Sequence, residues 1–399
     1  MNGPAVTTAP VSGAPEVEAG VRTHHITRSP GQRLVSLDAF RGLTIAGMLL
    51  VNNPGSWSSI YPPLKHAPWH GWTPTDLIFP FFLFIVGVAM TLSFGKLLER
   101  GATRNDLLLK TAKRAALIFL VGLALHSFPW IGYDFAHLRI PGVLQRIAIA
   151  YFFASAIYLY VRTVQARVIA LTVLLFGYWF LQTLVPVPGG FTGVLMPGMD
   201  LGAYIDRAVF TSDHLWREAR TWDPEGLLST LPAIGTALCG ALAGTWLATS
   251  RTQTEKVLGL FIAGFFGMML GAMWGWSFPI NKPLWTSSYV IFTAGIACQL
   301  FALCYWLIDM QGYRKWAMPF VMFGMNAIAA FFLSSAGART MNLIKVGPDD
   351  IALKTYIFRN FFLSWATPIN ASLAFAITYV LFWLGIMTIF YKRKIFIKL

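Results

Sequence analysis

Along this chain the apolar residues come in blocks of about 20, the length a helix needs to cross a hydrocarbon core of ~30 Å. Ten such blocks stand out, at roughly 38–54, 75–97, 113–130, 141–161, 167–186, 226–248, 257–275, 285–308, 317–336 and 371–391. Only a helix satisfies its backbone hydrogen bonds within one such segment, so the pattern predicts an all-α, polytopic fold with about ten transmembrane helices. No repeat of 20–50 residues and no inverted repeat stands out, which disfavours the commoner transporter architectures. Residues 34–399 read as one membrane domain. Residues 1–33, rich in Ala, Pro, Gly, Val and Thr, read as a disordered cytoplasmic tail without a signal peptide.

Charge orients these spans. Hydrophobic residues make up 56% of the chain and charged residues 12%, with 31 Lys and Arg against 17 Asp and Glu. In a soluble chain that basic excess would suggest nucleic acid. Here the bases gather in alternate loops: the N-terminal tail, 96–114, 162–167, 251–256, 314–315 and the C-terminal end together hold 19 of the 31. Basic loops stay in the cytoplasm, so both termini are expected there and no nucleic-acid partner is implied. The opposite, external face then carries the loop around His66, the turn at Arg139, a long loop near 187–225 with six acids, the Asn281-Lys282 turn and a segment near 337–370. Within that last segment, Tyr356 to Phe362 is apolar and aromatic but short, and reads as an interfacial or re-entrant helix. Cys239, Cys298 and Cys304 all lie in apolar segments without CxxC spacing, which suits core residues and implies neither a disulfide nor a zinc site.

Ionisable groups in or beside spans are costly and therefore become candidates for chemistry. Asp38 and Arg41, three apart on one face of span one, read as an anchoring ion pair or as a hold on an anionic cofactor. Asn52 and Asn53 end that span before Pro54-Gly55, either as a helix stop or as the edge of a site. His66 sits in the polar loop Lys65-His66-Ala67-Pro68-Trp69-His70-Gly71-Trp72, where an imidazole can titrate near neutral pH beside the membrane. His70 follows four residues later, but Pro68 interrupts the helix that metal-ligand spacing would need and no HExxH glutamate is present, so no metal is expected. Asp76, after Thr73-Pro74-Thr75, suits a helix N-terminus.

Gln145 and Arg146 lie about one turn into span four, behind Arg139, and an arginine there calls for an acid or an anionic ligand. Trp222-Asp223-Pro224-Glu225-Gly226 reads as a cap for span six, and Asn281-Lys282 as part of a compact outer turn. Asn326, deep in span nine, suits a helix–helix hydrogen bond. No GxSxG, Walker or dinucleotide-binding motif is present. These residues define a membrane protein with an outward polar site around His66, either an enzyme or a transporter.

At the same positions the chain resembles the heparan-α-glucosaminide N-acetyltransferase family. The resemblance rests on Leu37 to Gly42, Val51-Asn52, Lys65 to Trp69 with Gly71, Asp76-Leu77 with Phe79-Pro80, Arg139 to Arg146, Asp223 to Gly226, Asn281 to Trp285 and Tyr391 to Phe396, in order from about residue 33 to 399. It implies a transmembrane acyltransferase that uses cytosolic acetyl-CoA to acetylate the amino group of a glucosamine-type sugar on the far side of the bilayer. His66 matches the family's active-site histidine and Asn52 an asparagine on which function depends. His70 stands where the family pattern has asparagine. The resemblance further implies a bacterial inner-membrane member without the lumenal domain of the animal lysosomal enzyme, with no metal, and leaves room for a homodimer. On this reading His66 is a general base or a transient acetyl carrier, Asn52 orients it or polarises the thioester, and Arg139, Arg146 or Lys282 meets phosphates or an acidic saccharide. The rival reading is a transporter of N-acetylglucosamine or a related amino sugar.

Overall fold

The computed structural model describes residues 34–190, 192–348 and 350–397, together with Gly3. The tail expected over 1–33 therefore falls, apart from that glycine, outside the described residues. The chain forms α1 (Val35–Asn52), α2 (Ile78–Glu99), α3 (Arg104–His126), α4 (Val143–Tyr160), α5 (Val164–Leu184), α6 (Leu201–Phe210) and α7 (Thr230–Leu247). It continues through α8 (Gln253–Trp274), α9 (Ser287–Cys304, wound on to Met310), α10 (Met318–Met325), α11 (Ala327–Leu343), α12 (Leu353–Ile357) and α13 (Pro368–Lys392). A two-residue hairpin, Lys345–Val346 with Ile351–Ala352, interrupts the segment before α12. The fold is all-α and polytopic, as the hydropathy pattern predicts.

Local chemistry starts several of these helices. Three that begin on the basic face open behind a threonine: Thr103 Oγ1 accepts from Asp106 N (3.1 Å), Thr163 Oγ1 from Ala166 N (3.1 Å) and Thr252 Oγ1 from Glu255 N (3.2 Å). Each side chain satisfies an amide that the first turn leaves without a partner. Between helices, small residues set the closest approaches. A Cβ on Gly87 of α2 or Gly240 of α7 would overlap the facing backbone carbonyl, and the same holds for Gly42 of α1 against the Phe320 carbonyl and Gly324 of α10 against the Asp38 carbonyl. Lipid supplies no hydrophobic drive between spans, so such backbone contact is how they cohere. Among the candidate spans α2 and α7 are the most buried, and α5 and α8 the least.

Eight helices among the described residues are long and apolar enough to cross a membrane, and the α10–α11 pair makes a ninth if counted as one span. Two expected spans depart from the pattern. In α3, Arg104, Asp106, Lys110, Lys113 and Arg114 occupy the first three turns, so its 23 residues hold too short an apolar run to qualify. Span nine, expected over 317–336, bends by 85° at Asn326 and runs on to Leu343. The physical reason is on that side chain. Asn326 Nδ2 donates to the carbonyl of Ile395 (3.1 Å) and its Oδ1 accepts from the amide of Ile397 (2.9 Å), so it binds the C-terminal strand of chain and not a neighbouring helix. The aromatic stretch after the hairpin is a short helix running on to Phe362, with Phe358 and Phe362 packed on Phe375 of α13 at 6.4 and 5.5 Å.

Candidate active site

The loop after α1 turns back on itself through a carboxylate. Asp76 is buried at the start of the short turn Pro74–Leu77 that leads into α2, and with Thr73 it forms a reciprocal cap. Its Oδ2 accepts from the amides of Ala67 and Thr73 (both 3.0 Å) and from Thr73 Oγ1 (3.2 Å). That leaves Oδ1 for His66 Nδ1, at 2.6 Å. The helix-start reading of Asp76 and a role at the site are therefore both true of one residue. Three short-range donors fix one oxygen, and the fixed carboxylate orients the imidazole with the other.

With Asp76 as the acceptor, Nδ1 carries the donated proton, and in the neutral imidazole the lone pair then lies on Nε2. The imidazole is half-exposed and lines a cavity of about 550 Å³ shared with Asn52, Asp76, Arg139 and Lys282. Lys282 Nζ stands 3.3 Å from Nε2 and 3.4 Å from Nδ1. An ammonium on the Nε2 lone pair would be much nearer one nitrogen than the other, so near-equality puts Lys282 over the face of the ring, off the in-plane direction of that lone pair. Burial pushes the Lys282 ammonium below its ordinary range, against the pull of Glu225 and Asp76. Asn52, at the exposed end of α1, makes no side-chain hydrogen bond among the described residues and presents its amide to the same cavity. Its neighbour Asn53 is instead buried and donates to the carbonyl of Leu49 at 2.8 Å.

The turn that carries Lys282 is pinned to the His66 loop by Asn281. Its Nδ2 donates to the carbonyl of Trp69 (3.0 Å) and lies 3.3 Å from His70 Nδ1, while Oδ1 accepts from the amide of Leu284 (2.8 Å). Gly71 N donates to the carbonyl of Ile280 at 2.7 Å beside it. Asn281 is thus a fully buried tie between loops. His70 faces Asn281 while His66 faces Asp76, and burial lowers the His70 pKa. Among the described residues no group of three or more His, Cys, Asp or Glu is placed to hold a metal ion.

The remaining candidates divide. Arg139 is taken up by a segment read from sequence as a helix cap: its Nε and Nη2 reach both oxygens of Asp223 (2.9 and 2.6 Å) and Nη2 also reaches Glu225 (2.6 Å). Burial opposes that charge, and the two acids overcome it and hold the guanidinium above its ordinary range. Arg146 is fully buried behind the cavity wall and meets no acid directly. It donates through Nη2 to the carbonyl of Gly226 (3.1 Å) and to Ser229 Oγ, and lies 5.0 Å over the ring of Trp285. Its Nε and Nη1, and both amide atoms of Gln145, have no hydrogen-bond partner among the described residues. Asp38 and Arg41 pair at 3.2 Å at the far end of α1, some 14 residues or ~20 Å of helix from Asn52. Arg41 lines a separate cavity of about 330 Å³ with Arg114, Ser93 and Tyr151.

Sequence reasoning missed the aromatic wall of the His66 cavity. Trp69 meets Trp222 edge-on at 5.1 Å, and Trp222 meets Trp216 at 5.3 Å. Trp69 also donates from Nε1 to the carbonyl of Leu195 at 2.7 Å, which joins the long 185–229 loop to the site. Four tryptophans in loops of one face, Trp69, Trp72, Trp216 and Trp222, were the available signal.

Fold and site together define a polytopic helical membrane protein in which a buried carboxylate orients a cavity-facing imidazole. Residues 33–272 match the family model described as heparan-alpha-glucosaminide N-acetyltransferase, catalytic. The chain is 31% identical to the heparan-alpha-glucosaminide N-acetyltransferase of Homo sapiens over 92% of its own length and 60% of that protein. It is 30% identical to the Mus musculus protein of the same name, over 93% of this chain and 61% of the relative. The chain belongs to the heparan-alpha-glucosaminide N-acetyltransferase family and spans about 60% of the length of these curated relatives.

Proposed function

We propose that the protein is a transmembrane N-acetyltransferase that moves the acetyl group of cytosolic acetyl-CoA onto the amino group of a glucosamine-type sugar at the extracytoplasmic face of a bacterial inner membrane. The observation that carries this reading is the His66–Asp76 pair in the cavity wall. A sugar amine attacks a thioester only as the free base. His66 Nε2 takes the proton as the nitrogen–carbon bond forms, Asp76 stabilises the resulting imidazolium, and the carbon–sulfur bond breaks to release the CoA thiolate, which takes that proton from the imidazolium, leaves as the thiol and restores the free base. Asn52 offers its amide N–H to the thioester oxygen, where negative charge develops, and the Lys282 ammonium adds to the same stabilisation. Should His66 attack first, the same lone pair carries the acetyl group transiently and the amine displaces it in a second step.

The route of the donor is supported by the two cavities. Phe79, Val143 and Phe331 line the one at His66, and Phe82, Ile147 and Ile328 line the one at Arg41. Each pair is about one turn, ~5 Å, apart on α2, α4 or α11, so the cavities approach end to end. Arg41 and Arg114 at the basic face suit the phosphates of CoA, and a thin extended arm suits the passage between.

The test is mass spectrometry of glucosamine and glucosaminyl acceptors incubated with the purified protein and acetyl-CoA. His66→Ala is expected to reduce transfer by at least ~100-fold, typical of losing a positioned base, while acetyl-CoA still binds. Uptake of labelled amino sugar by proteoliposomes without acetyl-CoA, together with full activity of His66→Ala, would favour a transporter instead.

A further inference from the structure

A groove of about 740 Å³, sharing no residue with the cavity at His66, runs between α7 and α8. Leu242 and Trp246 of α7 line one side, Ala263 and Leu270 of α8 the other, and Ile291 and Cys298 of α9, which packs on both helices, line the floor. Val164 and Val168 of α5 stand exposed at one end. Since α5 and α8 are the least buried candidate spans, the groove opens to the hydrocarbon of the bilayer. Its length is that of one leaflet. From Gly259 to Leu270 is ~16 Å of helix, against ~15 Å for half of a hydrocarbon core. The end at Gly259 lies at the basic face, where Trp246 donates from Nε1 to the carbonyl of Lys256 (3.0 Å) and ties the last turn of α7 to the start of α8. An indole at that depth marks the headgroup boundary.

Charge collects at the same end. The segments 161–167 and 248–256, which flank it, hold Arg162, Arg167, Arg251 and Lys256 against Glu255 alone, so the mouth is positive. Arg162 is exposed two residues before Val164. Arg251 is exposed 5.1 Å over the Trp246 ring, with Glu255 at 3.5 Å. Arg167 spends Nε and Nη2 on the carbonyls of Val161 and Tyr158, neutral partners that leave its charge in place. A groove in a span also suits a second helix, but α8 has already committed its small residues. Gly264 and Gly271 abut the backbone of Gly295 and Phe292 in α9, where a Cβ would overlap. The residues that α8 leaves exposed are large, among them Phe265, Phe266, Met269 and Leu270. Such side chains hold a neighbouring backbone away, whereas a flexible hydrocarbon chain threads between them.

We propose that this groove is a binding site for an anionic phospholipid of the leaflet at the basic face, with one acyl chain lying between α7 and α8 and the headgroup phosphate held by Arg162 and Arg251. The forked guanidinium donors suit phosphate oxygens, and the apolar walls ask nothing of the chain but its length. The site is independent of the chemistry at His66, so it stands or falls without the acetyl-transfer reading.

The full chain is reconstituted in nanodiscs of phosphatidylcholine and phosphatidylglycerol in equal parts, with a trace of either lipid carrying a photoreactive diazirine on one acyl chain. Crosslinked peptides are identified by mass spectrometry. Crosslinks are expected to concentrate on the groove walls in α7, α8 and α9 and, with two arginines at the headgroup, to favour phosphatidylglycerol by at least about fivefold. Ala263→Phe, at an exposed position of α8, fills the groove and should remove those crosslinks while thermal unfolding shows that the protein still folds. Arg162→Gln/Arg251→Gln alters only exposed side chains, leaves the groove open, and should keep the crosslinks while bringing the preference to within about twofold of one. Crosslinks spread over all lipid-facing helices in proportion to their exposure, and unmoved by either change, overturn the site. Equal labelling by the two lipids in the wild type overturns the anionic assignment. An unlabelled groove in a dimer that Ala263→Phe dissociates makes it an interface between copies of the chain and overturns the lipid.

Discussion

Replacing Asp76 by asparagine changes one oxygen into an amide nitrogen, and the surrounding bonds decide which. Oδ2 accepts from Ala67 N, Thr73 N and Thr73 Oγ1, so the amide oxygen of Asp76→Asn must take that position. The NH2 then replaces Oδ1, 2.6 Å from His66 Nδ1. Two donors cannot face each other, so Nδ1 becomes the acceptor and the ring proton moves to Nε2. The loop keeps its three backbone-side bonds while the imidazole presents N–H, not a lone pair, to the cavity. Loss of the base and of the negative charge opposite an imidazolium costs on the order of 10³- to 10⁴-fold in kcat when a carboxylate plays this part. That corresponds to about 4–5.5 kcal/mol of transition-state stabilisation. The assay is turnover of acetyl-CoA with glucosamine, read by mass spectrometry, beside thermal unfolding to show that the fold survives. Turnover within about fivefold of the wild type would refute the reasoning and reduce Asp76 to a helix cap.

Other consequences follow from groups around the site. Arg146→Lys loses the planar group over Trp285 and cannot keep both the Gly226 and Ser229 bonds, so thermal stability should fall by ~2 kcal/mol, with acceptor KM changed less than about twofold. A large KM effect with unchanged stability would instead make it a ligand contact. Burial raises the pKa of Asp206 to about 7, so the folded state holds a proton that the unfolded chain releases near pH 4. Its carboxylate therefore costs nothing below pH ~4 and destabilises progressively as pH rises to ~7, and Asp206→Asn, which retains an acceptor for Leu227 N, should flatten the decline in melting temperature over that interval. An unchanged slope would show that Asp206 does not titrate there. In a cysteine-free background, a cysteine at Ser58 should react with an impermeant thiol reagent on intact cells and one at Ser250 should not, whereas the opposite pattern would invert the proposed orientation.

How far the sequence revealed this arrangement depended on distance along the chain. Apolar blocks are local, and nine of the ten expected segments contain a helix or bent helix pair that passes on length and composition. The exception, α3, shows how a few charges in the opening turns shorten an apolar run without shortening the helix. Thr73 and Asp76, three residues apart, were readable as a helix start, and His66 lies only ten residues from its carboxylate. Arg139 meets its acids across 84 and 86 residues and Asn281 meets Trp69 across 212, and no local pattern encodes such pairings. Asn326 was conspicuous as a lone amide in apolar sequence, but its partner is the backbone of residues 395–397, which any side chains could have supplied. For Arg146 the cost of a buried cation is visible in sequence, whereas the carbonyl, hydroxyl and indole face that it meets are not.

The approach of the two cavities bears on the membrane as an insulator. A bilayer that stores a proton gradient loses it through any continuous thread of water, so a protein that passes chemistry from one side to the other must do so without a wet pore. Where the two cavities approach each other, Phe79, Phe82, Val143, Ile147, Ile328 and Phe331 stand between them, none of them ionisable. An apolar constriction of this kind expels water by dewetting. On the proposed reading, the acetyl group passes such a collar with no standing column of water, so the energised state of the membrane is preserved while only a two-carbon unit changes sides.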